Sequence, residues 1–120
     1  MKYLVTDDSK LARRVLVRAL LTYTDEAHIF QATNGLEAVK MTLKEKPDIV
    51  FLDLTMPEMD GYTALPKLRK INPDIKVVVV SADVQEQAKE KVLALGAKFH
   101  IAKPINPQKL KEILEAFANE

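Results

Sequence analysis

Ile49-Val50-Phe51-Leu52-Asp53-Leu54-Thr55-Met56-Pro57 is an apolar run that delivers one carboxylate at its end and is then halted by proline. Ile49 to Leu52 follow neither a two-residue nor a 3.6-residue period, and a short run rich in Ile, Val and Phe reads as a strand buried on both faces of a parallel sheet. In open parallel α/β sheets, ligands sit outside the carboxyl ends of the strands. Asp53 occupies such a place, and a carboxylate there calls for a chemical reason.

Upstream, Tyr3-Leu4-Val5-Thr6 reads as a first strand ending in Asp7-Asp8, with Ser9 as a helix N-cap. Leu11, Val15, Leu16, Ala19 and Leu20 recur at helical spacing, with Arg13, Arg14 and Arg18 outside, which predicts a helix to about Tyr23. His28 to Ala32 reads as a second strand, Asn34-Gly35 as a turn, and Leu36, Val39 and Leu43 as the inner stripe of a second helix. His28 is expected to be a strand-edge residue without a role.

Downstream, a third helix with a core stripe of Leu65, Leu68 and Ile71 contains Pro66, so a late start or a kink is expected. Val77 to Val80 is a β-branched, doubly buried strand ending at Ser81. Val84, Ala88, Val92 and Leu95 predict the inner face of a fourth helix stopped by Gly96. Phe99 to Ala102 is the fifth strand, ending at Lys103-Pro104, and Pro107 opens a last helix with Leu110, Ile113, Leu114 and Phe117 inward. The alternation is (βα)5: an α/β, doubly wound, five-stranded parallel sheet covered on both faces, as one domain over residues 1–120.

The 18 basic and 17 acidic residues are interleaved, so there is no cationic field for nucleic acid or an anionic membrane. With no cysteine, disulfides and thiolate metal sites are excluded, and two isolated histidines argue against a zinc site. No apolar run approaches a membrane span and no signal-peptide pattern occurs, which leads us to expect a cytoplasmic protein without membrane insertion.

The predicted strand ends bring together Asp7 and Asp8, Asp53, Ser81 and Lys103. Carboxylates this close repel one another, and an all-oxygen cluster suits Mg²⁺, with Mn²⁺ as the alternative. A hydroxyl and a lysine beside it complete a site for a tetrahedral dianion: the metal neutralises one oxygen, Lys103 another, and Ser81 donates to a third. Asp53 is then the nucleophile that accepts the phosphoryl group.

Asp7-Asp8, Asp53-Leu54-Thr55-Met56-Pro57-Glu58-Met59-Asp60-Gly61, Ser81-Ala82 and Lys103-Pro104, in that order over the whole chain, resemble the receiver domain of two-component response regulators. The resemblance implies a flavodoxin-like, CheY-like fold with strand order 2-1-3-4-5, an order carried over from flavodoxin and CheY rather than read from these residues. It implies a phosphorylation-activated switch in which Asp53 takes phosphate from a sensor histidine kinase. Asp8, Asp53 and the backbone carbonyl of Thr55 would bind Mg²⁺ directly, with Asp7 assisting through water, while Ser81 and Lys103 would contact the phosphoryl oxygens and the Lys103-Pro104 bond would be cis.

The family's aromatic gate, three residues before the lysine, is here His100, so Ser81 and His100 are the expected switch pair, acting on the face formed by helix 4, strand 5 and helix 5. The implied protein is a monomer that catalyses only its own phosphorylation and dephosphorylation. Its expected output target is a flagellar motor switch protein or a phosphorelay protein. Because the chain ends just after its last helix, a stand-alone chemotaxis-type or phosphorelay receiver is expected, with a receiver taken from a larger regulator as the alternative. A phosphohydrolase with an aspartyl nucleophile is the competing chemistry; such enzymes place a second Asp where this chain has Thr55, and a pseudo-receiver would have lost an acidic or lysine position.

Overall fold

Residues of the apolar runs alternate between two cores, one on each face of a single sheet. The computed structural model describes every residue except Val84. Its strands are β1 (Tyr3–Thr6), β2 (Ile29–Ala32), β3 (Ile49–Leu52), β4 (Lys76–Ser81) and β5 (Phe99–Ala102), all parallel, in the order β2-β1-β3-β4-β5. The helices are α1 (Lys10–Leu20), α2 (Gly35–Glu45), α3 (Gly61–Ile71), α4 (Glu86–Ala94) and α5 (Pro107–Ala118). This is the doubly wound (βα)5 fold expected from the sequence.

In β3, Ile49 and Phe51 join Leu16, Leu20, Leu110 and Ile113 beneath α1 and α5, while Val50 and Leu52 join Ala38, Leu65, Leu68 and Val92 beneath α2, α3 and α4. A strand buried on both faces cannot show polar alternation, which is why the run carries no period. Full burial of each such side chain contributes roughly 1.5–3 kcal/mol. Side-chain caps start four of the helices: Ser9 accepts from the Ala12 amide, Asn34 from Glu37, Asp60 from Thr63 and Asn106 from Lys109.

Several expectations are corrected. Helix α1 stops at Leu20, the chain tightening into a turn in which the Tyr23 amide donates to the Leu20 carbonyl at 2.8 Å. Its Leu11 and Val15, expected inside, are exposed, at 68% and 44%. Leu36 and Leu43 of α2 are likewise outside, and the buried face is instead Gly35, Ala38 and Thr42. Small residues face inward because α2 lies close to the loop before α3: the Gly35 amide donates to the Met59 carbonyl at 2.8 Å, and a Cβ on Gly35 would meet that oxygen.

His28 ends a single 3-10 turn (Glu26–His28) before β2, its Nδ1 2.6 Å from Asp25 Oδ1. Helix α3 begins at Gly61 and continues through the exposed Pro66, so the late start does not occur. Ile71, expected in its core stripe, is only half-buried. Val84, expected on the inner face of α4, lies outside the described residues. Among the described residues, no helix is long and apolar enough to cross a membrane.

Candidate functional site

Parallel pairing of β1, β3, β4 and β5 in register carries their carboxyl ends to one edge of the sheet, and with them Asp7, Asp53, Ser81 and Lys103. Backbone bonds continue the ladder past the strands: the Asp53 amide donates to the Thr6 carbonyl at 3.0 Å, and the Lys103 amide to the Ser81 carbonyl at 2.9 Å. Asp7, Asp53 and Ser81 are buried, Lys103 is half-buried, and Asp8 is exposed.

Carboxylate oxygens of Asp7, Asp8 and Asp53 lie within 4.8 Å of one another. The Lys103 ammonium bridges the two buried ones, 2.7 Å from Asp7 Oδ2 and 3.1 Å from Asp53 Oδ2. Asp53 Oδ1 accepts from the Leu54 amide at 2.8 Å, and Asp7 Oδ1 from the Ser9 amide at 2.9 Å. Burial pushes the Asp53 carboxyl above its ordinary 3.8, and the Asp7 charge adds to this, while Lys103 and the Leu54 amide offset it only in part. Burial works against the Lys103 ammonium as well, but its hydrogen bonds to Asp7 and Asp53 and their charges outweigh it and raise the lysine pKa.

The loop after β3 is built for close approach. Glu58 takes a positive φ of 66° as the Met59 amide turns back to the Pro57 carbonyl at 2.7 Å, a γ-turn. Gly61 lies against the backbone of Asp53 and Leu54, donating to the Leu54 carbonyl at 2.9 Å. Beneath the rim, a cavity of about 300 Å³ is bounded by Asp53 and Lys103 and by apolar residues that include Leu16, Phe51 and Val80. The Lys103-Pro104 bond is cis, as the resemblance implied.

The donor set fits a hard divalent cation. Three carboxylates supply oxygen alone, one of them is open to solvent, and their mutual repulsion is relieved here by a single ammonium. His100 stands apart from the cluster, on β5 facing a recess with Asn106 and Lys109. At Thr55 the expected ligand is the backbone carbonyl, and the side chain is exposed. The Ser81 hydroxyl accepts from the Asp83 amide at 3.0 Å, which ties it to the loop before α4 and leaves its own proton free to donate.

One contact escaped the sequence reading. Arg13, taken as solvent-facing, turns back so that Nη1 donates to the Asp7 carbonyl at 2.8 Å and Nε to Gln31 Oε1 at 3.1 Å. Helical spacing put it on the flank of α1, but nothing in the pattern says that a long side chain reaches back to the strand end.

The family model described as the response regulator receiver domain matches residues 3–115. The chemotaxis protein CheY of Listeria monocytogenes is 39% identical over 118 residues, covering 98% of both chains. Sporulation initiation phosphotransferase F of Bacillus subtilis is 32% identical over 120 residues, covering 97% of this chain and 92% of that protein. A CheX-CheY complex with BeF3 and Mg²⁺ from Borrelia burgdorferi contains a chain that superposes with a TM-score of 0.89 at 31% identity, over 98% of this chain and 89% of that one.

Proposed function

This chain belongs to the response regulator receiver family, and from that premise we propose that it is a phosphorylation-driven switch in which Asp53 takes a phosphoryl group from the phosphohistidine of a sensor histidine kinase. The observation that carries the reading is the buried Asp53 carboxylate, joined to Asp7 by one lysine and adjoined by the exposed Asp8. Asp53 attacks phosphorus, the bond to the donor imidazole breaks, and the aspartyl phosphate remains on the rim.

Mg²⁺, held by Asp8, Asp53 and the Thr55 carbonyl with Asp7 behind, would neutralise charge on the incoming phosphoryl group. The Borrelia complex contains Mg²⁺ together with BeF3, which supports this choice over Mn²⁺. Lys103 leaves its carboxylate partners to meet one phosphoryl oxygen, and Ser81 turns its hydroxyl proton to another. Because Ser81 also holds the Asp83 amide, its movement pulls on the loop before α4, and His100 follows on the face of α4, β5 and α5.

Residues 1–120 act as one receiver unit, monomeric and cytoplasmic. Its output is a changed surface offered to a protein target, a flagellar motor switch protein or a phosphorelay protein, with no turnover of outside substrates beyond its own phosphorylation and dephosphorylation.

Acetyl phosphate with Mg²⁺ tests the reading. One phosphoryl group per chain is expected, and none in Asp53→Asn. Stoichiometric labelling of that variant would refute the nucleophile, and multiple-turnover hydrolysis of small phosphate esters by the parent would make the protein a phosphohydrolase.

A further inference from the structure

Among the described residues, no hydrogen bond or ion pair holds the carboxylate of Asp8, although its two neighbours in the cluster are held from several sides. Asp7 is fixed at its amide by the Ala32 carbonyl at 3.1 Å, at Oδ1 by Ser9 and at Oδ2 by Lys103. Asp53 is fixed by Leu54 and Lys103. Asp8 is exposed and repelled by both, so its carboxylate stays in the cluster only as far as its backbone directs it there.

The backbone at this point is a single peptide unit. A trans peptide is planar, so the direction of the Asp7 carbonyl fixes the plane that carries the nitrogen and Cα of Asp8. That carbonyl lies beyond the last residue of β1, and its acceptor is met by the Arg13 guanidinium at 2.8 Å. The residue is held at both ends: the guanidinium Nε also bonds Gln31 Oε1 on the edge strand β2 at 3.1 Å, and the Arg13 backbone amide closes the first turn of α1 on the Ser9 carbonyl at 3.0 Å. A planar group holding two acceptors at once gives the carbonyl one direction.

We propose that Arg13 is a positioning residue for the divalent-cation site: by holding the Asp7 carbonyl it fixes the Asp7-Asp8 peptide unit and so aims the Asp8 carboxylate into the cluster. The inference rests on the reading of Asp7, Asp8 and Asp53 as that site.

The sign of the effect separates this role from two simpler ones. If Arg13 acted only through its charge, removing a cation near the site would strengthen Mg²⁺ binding. If it only steadied α1, its loss would lower stability and leave the affinity of the folded chain unchanged. A positioning role predicts weaker binding by folded protein, and residues that orient metal ligands commonly account for about 10- to 100-fold in affinity.

The experiment is calorimetric titration of the purified chain with MgCl₂ at fixed ionic strength, below the thermal transition of every variant. Arg13→Met keeps most of the aliphatic stem and removes all donors; Arg13→Lys restores one donor; Arg14→Ala removes an exposed neighbouring charge. Arg13→Met should bind Mg²⁺ about tenfold more weakly than the parent, Arg13→Lys should fall between them, and Arg14→Ala should bind at least as tightly as the parent. Parent-like or tighter binding by Arg13→Met overturns the inference while leaving the metal site standing. A parent that takes up no Mg²⁺ overturns both.

Discussion

Lys103 Nζ and Asp53 Oδ2 lie 3.1 Å apart, and the same ammonium is 2.7 Å from Asp7 Oδ2. One cation therefore stands where the negative charge of two buried carboxylates converges, and any metal recruited to the cluster competes with it. Lys103→Ala should bind Mg²⁺ severalfold more tightly than the parent, because the carboxylates lose their internal counter-ion. The variant should still be labelled by acetyl phosphate, yet fail to carry the phosphorylated state to the α4-β5-α5 face. Calorimetry reads the first effect, and weaker Mg²⁺ binding would show that Lys103 supports the site instead of competing for it.

Asp53 sets a second prediction through its raised pKa. A carboxyl whose folded pKa lies above its unfolded value binds more protons in the native state, so its contribution to stability is fully present below the unfolded pKa and is lost as pH rises through the folded one. At neutral pH without Mg²⁺ the charged Asp53 is therefore a burden on the fold, and Asp53→Asn removes it while Lys103 keeps Asp7 as a partner. The asparagine variant should be more stable at pH 7 by on the order of 1 kcal/mol, a rise of about 4 °C in Tm. That advantage should shrink as the pH is lowered toward the ordinary carboxyl value of 3.8. A pH-independent difference between the two melting curves would show that protonation of Asp53 is not its source.

The central strands β1, β3 and β4 were legible because each is a short apolar run buried on both faces, the edge strands β2 and β5 by their place in the alternation with helices, and the site because parallel strands must end on the same rim. What the pattern missed concerns size and reach. Leu36 and Leu43 outrank Gly35, Ala38 and Thr42 in hydrophobicity, yet the small residues face inward, and at Gly35 the Met59 carbonyl leaves no room for any side chain. Leu11 and Val15 keep helical spacing with Leu16 and Leu20 but sit around the corner of α1. Arg13 was read by its place on the helix, whereas its effect depends on a guanidinium that spans back to the end of β1.

Gly61 provides a third test. A Cβ at this position would run into the Asp53 carbonyl and come within 2.9 Å of Leu54 Cα, both backbone atoms that cannot swing aside. Gly61→Ala must push the β3–α3 loop away from the end of β3. Overpacking of this kind costs about 1–3 kcal/mol, and here it also displaces Asp53, the proposed nucleophile. Denaturant unfolding should show that loss, and acetyl-phosphate labelling should slow by more than the unfolded fraction explains. A variant with parent-like stability and labelling would mean that the loop is slack.

The last prediction follows from His100, whose Nε2 is enclosed and, among the described residues, has no hydrogen-bond partner. The ring sits on the edge strand β5 beside Ile101, with Asn106 and Lys109 along the same recess, and neither of those polar side chains bonds it. A buried polar atom left without a partner costs about 1–3 kcal/mol, because its hydration is lost and nothing replaces it. Phenylalanine has nearly the same planar shape and carries no atom that needs a partner. His100→Phe should therefore stabilise the chain by on the order of 1 kcal/mol, visible as a rise of about 4 °C in Tm at neutral pH. His100→Ala should instead lose stability, since it leaves unfilled the space that the ring occupies. A fall in Tm for His100→Phe would show that the imidazole nitrogen bonds water or a neighbour in solution and that the histidine is retained for that bond.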